Sequence, residues 1–197
     1  MNERAFKCLQ PRQSSFKRAS VEMEFVMPKP DIFSNLRGGA IYAAAGVAPT
    51  TARTWALKLG QPRLGGHPRY NLGDAVILSL MKALALDSGF APGLAAALLN
   101  DKRDEILGAV DLICQEQSSS GKWRWEGGPF LHIKVGGSGF QPSDGVHIIG
   151  DEQIVSAISD RSSGDLQIIA ALPRQVCKTK LRLEAVLRGD LPAEVAA

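Results

Sequence analysis

Cysteine and histidine are scarce in this chain, three of each among 197 residues. Cys8, Cys114 and Cys177 lie far apart without a CxxC partner, and His67, His132 and His147 are equally scattered. This spacing gives no zinc-ligand pattern and no disulfide framework. An odd, widely spaced set fits a reducing compartment, so a cytoplasmic protein is expected. Cys114 reads as a small core residue on an apolar helix. Long apolar runs are missing as well. The best candidate, Ala83–Leu99, is broken by Asp87, Gly89 and Pro92, so no membrane association is expected. The opening stretch MNERAFKCLQPRQSSFKR has no apolar core of a signal peptide. Gly136-Gly137-Ser138-Gly139 lacks the GxxxxGK[ST] pattern and reads as a hairpin loop. Asp144, His147 and Asp151 beside Ser138 or Ser143 lack a nucleophile elbow. The chain is therefore expected to bind no metal or cofactor and to be no enzyme.

The most informative absence is of negative charge. Between Arg37 and Gly73 there are five basic residues and no acidic one. Residues 1–73 hold 11 Lys and Arg against 4 Asp and Glu, whereas residues 74–197 hold 12 against 16. A basic segment on a mildly acidic body fits a polyanion-binding surface carried on a folded support. Hydrophobic residues at 45% and charged residues at 22% exclude disorder of the whole chain.

Within the basic segment the punctuation is regular. Ile41, Ala44 and Ala45 give an i, i+3, i+4 apolar stripe on a short helix over about 36–45. Gly46 stands where a helix end takes positive φ. Ala48-Pro49 opens a second helix, which ends at Gly60. Helix, glycine-containing turn, helix is a helix-turn-helix pattern. Gly65-Gly66, flanked by Leu64 and Tyr70, reads as a small hairpin or wing. Asn71 can cap the next helix, with Asp74 near its positive end. Val76, Ile77, Leu80, Met81 and Leu84 give that helix a wide apolar face, and Gly89-Phe90-Ala91-Pro92 breaks it. Two more helices are expected over about 93–99 and 102–115.

After Ser118-Ser119-Ser120-Gly121, read as a linker, the pattern changes. Strands are expected at Phe130–Val135 and Val146–Ile149, a helix at Asp151–Ser159, and a buried strand at Leu166–Leu172. The basic segment Arg174–Arg188 fits helix or strand, and the alternation of Lys178, Lys180 and Arg182 reads as a solvated face, with one face of a strand touching DNA as the alternative. Trp123-Arg124-Trp125 reads as a strand packing one indole. The expected architecture is a flexible tail over residues 1–34, a mainly α winged helix-turn-helix domain over 35–117, and a small α+β domain over 118–197.

Ala45-Gly46-Val47-Ala48-Pro49-Thr50-Thr51, Arg53-Thr54-Trp55 and Gly65-Gly66-His67-Pro68-Arg69-Tyr70 resemble the DNA-binding domain of MerR-type regulators, and that of the related excisionase-like proteins. The resemblance covers about residues 36–100. It departs from the family at Pro68, where a second Arg is usual, and it lacks the effector cysteines. It implies sequence-specific binding of double-stranded DNA, as a transcriptional regulator and homodimer, through Thr50, Thr51, Arg53, Thr54, Lys58, Arg63, His67, Arg69 and Tyr70. Hydroxyls and a guanidinium on a helix suit a major groove, and wing cations suit phosphates. Trp55, with Leu59 at i+4, reads as core. Two other readings use the same residues: an excisionase-like or viral DNA-packaging architectural factor, and a ligand-binding or enzymatic C-terminal domain controlled by DNA binding. Residues 118–197 would dimerise or take a small-molecule or protein partner.

Overall fold

The computed structural model describes residues 33–60, 69–121, 127–135, 145–159 and 166–190. In chain order the helices are α1 (Gly38–Ala45), α2 (Pro49–Lys58), α3 (Leu72–Lys82), α4 (Pro92–Asp101), α5 (Arg103–Ser120), α6 (Asp151–Ser159) and α7 (Leu172–Arg188). The strands are β1 (Phe130–Val135), β2 (Val146–Ile149) and β3 (Leu166–Ala171). The described residues are thus mainly helical, with one small antiparallel sheet.

The reason α3 sits at the centre is in its sequence. LGDAVILSLMK is apolar nearly all round, and a helix of that kind must be covered on every side. From Leu72 to Met81 all but Asp74 are buried. Asn71 and Asp74 close its N-terminus reciprocally: Asp74 N–H donates to Asn71 Oδ1 at 2.9 Å, and Asn71 N–H donates to Asp74 Oδ2 at 3.1 Å. This capping box satisfies two of the donors that a helix start leaves open. Asp74 also accepts from Arg103 on α5 at 2.8 Å. The helix continues through a π-helical turn, Ala83–Asp87, and stops before Gly89 at φ +77°.

Helices α1, α2, α4, α5 and α7 pack around α3. The sheet has the order β2-β1-β3, both neighbours antiparallel to β1, with His132 opposite His147 and Ile169. Alternation sends Leu131, Ile133 and Val146 into the core, with Ile148, Ile168 and Ala170 packed against it. The apolar run expected as a buried strand is instead the edge strand β3, and its residues 167–171 are half-buried. Its final residue passes directly into α7.

Two expectations about the second half of the chain change here. The serines expected as a linker form the last turn of α5. Ser118 Oγ donates to Cys114 O at 2.8 Å and Ser119 Oγ to Glu116 O at 2.9 Å, so their hydroxyls support the helix end, and Gly121 at φ +66° terminates it. Nor does the core divide at residue 118. Leu172, Val176 and Leu183 of α7 belong to the same buried cluster as Ile41, Val76 and Ile106, and α7 packs on α1, α3 and α5. All described residues lie in one compact unit. The basic segment that fitted helix or strand is helical because Leu172, Val176, Thr179 and Leu183 recur at helical spacing and are buried. No described helix is long and apolar enough to cross a membrane. Residues 1–32, and with them nearly all of the expected tail, lie outside the described residues, as do Trp123, Arg124, Trp125 and the Gly136–Gly139 run.

Candidate nucleic-acid interface

The basic segment folds into α1, a tight turn and α2. Gly46, at φ +67° and ψ +42°, ends α1 in the left-handed region, where a side chain would be strained. Its N–H donates to Ala43 O, and that of Val47 donates to Tyr42 O, both at 3.0 Å, so the turn closes the helix end by its own backbone. Val47 is buried beneath the turn. Pro49 starts α2, where its missing N–H costs nothing.

Helix α2 has two sharply different faces. Ala52, Trp55 and Leu59 are buried against the core. Thr50, Arg53, Thr54, Leu57 and Lys58 are exposed. These five follow i, i+3, i+4, i+7, i+8 and therefore form one stripe. Thr51 and Ala56 are half-buried at its margins. Thr54 Oγ1 donates to Thr50 O at 3.1 Å, which fixes the hydroxyl and leaves its oxygen free to accept. The far end of α2 is held from α4, where Asn100 Nδ2 donates to Lys58 O at 3.0 Å. The backbone of the helix is thus secured from behind while its outward stripe stays open. Leu57, 49% exposed, was not among the residues the sequence singled out. Its spacing from Arg53, Thr54 and Thr50 is the signal that would have found it.

The remaining expected contacts divide. Arg69 is exposed, and its guanidinium donates to Asn35 O at 3.3 Å. It precedes an isolated antiparallel bridge between Leu36 and Tyr70, closed by N–H to O bonds of 2.8 and 3.1 Å. Tyr70, expected as a DNA contact, points inward instead. It is buried, and its hydroxyl is hydrogen-bonded to that of Tyr42. Burial, followed by the bond to Tyr42, pushes its pKa up to about 12. It is a packing residue that ties the segment after α2 to α1. Arg63 and His67, expected on the wing, lie outside the described residues.

The segment from Arg37 to Arg69 carries charge of one sign. Arg37, Arg53, Lys58 and Arg69 are all exposed and form no ion pair with any described carboxylate. The described carboxylates lie beyond α2, from Asp74 onward. Among the described residues no three His, Cys, Asp or Glu side chains gather to hold a metal. The stripe on α2 therefore offers hydroxyls, two cations and one apolar side chain: groups that bind an anionic, hydrogen-bonding partner. No protein family, curated protein or solved structure matches the chain, so the reading of this surface rests on its own chemistry.

Proposed function

We propose that the chain is a sequence-specific double-stranded DNA-binding protein, with α1, the Gly46 turn and α2 as a MerR-like helix-turn-helix. On this reading α2 is the recognition helix, and the protein is a transcriptional regulator acting as a homodimer on a pseudo-palindromic operator. The observation that carries it is the single exposed stripe Thr50–Arg53–Thr54–Leu57–Lys58, backed by Trp55 on the buried side. An α-helix fits the major groove, where Arg can fork to guanine, threonine hydroxyls reach bases or phosphates, and an apolar group meets the thymine methyl. Lys58 and Arg69 are suited to phosphates, which position without specifying. A single module of this size buries too little surface for high specificity, and this favours a dimer.

The test is selection from a random duplex pool, followed by binding measurements on the selected motif. Arg53→Ala is expected to weaken binding by roughly 5- to 150-fold, the range for one lost bidentate base contact of about 1–3 kcal/mol, and to relax preference at one position. An inverted repeat would support the dimeric regulator, and direct repeats an architectural factor. Failure to enrich any motif, with wild type and Arg53→Ala alike, would overturn the reading.

A further inference from the structure

Helix α7 carries five basic residues and one acidic one, and the structure sorts them. Lys180 is turned inward: its Nζ donates to Gln117 Oε1 on α5 at 2.8 Å and lies 5.1 Å from the Phe33 ring centroid. Arg174 and Lys178 are exposed, and Arg182 follows them at i, i+4, i+8. Such a row drifts slowly around a helix, here towards the side on which Gln175 bonds Ser79 of α3 at 2.8 Å. At the end of the row is the turn between α1 and α2. A Cβ placed on Gly46 would stand 3.2 Å from an Arg182 guanidinium nitrogen and 3.1 Å from Lys82 Nζ of α3. Two cations from different helices thus converge on the turn that precedes the exposed stripe of α2.

Among the described residues nothing offsets this convergence of charge. Arg174, Lys178, Arg182 and Lys82 form no ion pair among the described residues. Like charges held together without a counter-ion repel, and an external anion relieves that repulsion. Nor are the cations needed to close α1 at Tyr42 and Ala43, because those carbonyls already accept from the Val47 and Gly46 N–H groups. The one carboxylate of α7, Glu184, follows Lys180 at i+4 and so lies on the flank that Lys180 faces.

We infer that Lys82, Arg182, Lys178 and Arg174 form a second phosphate-binding surface, which extends the DNA contact from the α1–α2 turn along α7. The inference rests on the proposed binding of duplex DNA by α2. Arg174 to Arg182 spans about 12 Å of helix at 1.5 Å per residue. Duplex DNA presents one charge per ~1.7 Å of axis, so several phosphates fall within such a span. The row adds affinity and salt dependence, and leaves base preference to α2.

The test measures the salt dependence of binding by fluorescence anisotropy. The probes are a duplex bearing the selected motif and one of unrelated sequence, titrated with wild type, R174Q/K178Q, R174Q/K178Q/R182Q and R53A. Each phosphate contact contributes about 0.9 to the slope of log affinity against log salt. The triple variant is expected to lower that slope by about 2 to 3 on both duplexes, with the preference between them kept. Arg174 and Lys178 are exposed, so the double variant keeps the fold even if Arg182→Gln does not, and it is expected to lower the slope by about 2. An unchanged slope in a folded double variant, with R53A still losing preference, would overturn the second surface and leave the α2 reading standing. Absence of binding to either duplex by wild type would overturn both.

Discussion

Tyr70 closes the end of the basic segment with a bridge to Leu36 and buries its ring in the core. Its aromatic ring and hydroxyl suit a phosphate contact at a wing base, yet in the fold it closes the bridge to Leu36 and bonds Tyr42. Gly38 accommodates this arrangement, since a Cβ there would stand 3.0 Å from the Tyr42 hydroxyl. Burial of the Tyr70 phenol has a consequence at alkaline pH. Its pKa is raised from 10.0 to about 12 in the folded protein. Below pH 10 both folded and unfolded chains hold the proton; between 10 and 12 the unfolded chain loses it first. The folded state then binds more protons than the unfolded one, so stability falls as pH rises through that window. The urea midpoint of the wild type is expected to drop more steeply from pH 9.5 to 12 than that of Tyr70→Phe. Parallel curves would show that the phenol does not contribute.

At the scale of elements, much of the first half was legible. Gly46, Pro49, Gly60, Asn71 and Pro92 mark helix ends that depend only on local backbone chemistry, and the structure puts ends at or beside each. The two partners of the α3 capping box were visible separately, Asn71 as the N-cap and Asp74 as an acid near the positive end of the helix. Its tie to Arg103 was not, because that contact joins residues far apart in sequence. Arg103 Nη1 is buried without a described partner, so its charge already leans on Asp74. Asp74→Ala removes half the box and strands the guanidinium. It is expected to cost about 1–3 kcal/mol in urea unfolding, and Arg103→Leu added to it is expected to recover part of the loss. Additive losses would mean that the two side chains act independently. The alternation of Lys178, Lys180 and Arg182 imitates a strand because charges alone carry little packing information. The buried residues of α7 decide its form.

The whole molecule differs most from what local pattern implies. A composition change after Ser120 suggested a second domain, but hydrophobic periodicity cannot say which apolar faces meet. Here the face of α7 meets those of α1 and α3. Burial of one Val- or Leu-sized side chain is worth ~1.5–3 kcal/mol, against a total stability of ~5–15 kcal/mol for an ordinary domain. Removal of Leu172, Val176 and Leu183 together is of that same order. A chain ended at Gly121 is therefore expected to lose cooperative thermal unfolding and to bind a hydrophobic dye, as a loosely packed helical state does. A sharp melting transition for that fragment would show that the first five helices are a self-sufficient domain.

The docking of α7 on α1 also sets a timetable. Synthesis proceeds from the N-terminus, so α1 and α2 leave the ribosome before α7. Until α7 arrives, part of the apolar face of α1 has no cover. Vectorial synthesis, which helps domains that complete themselves in order, gives no such advantage to a helix whose partner is made after several intervening elements. The helix that leads into the Gly46 turn is thus made before the partner that fixes it in place.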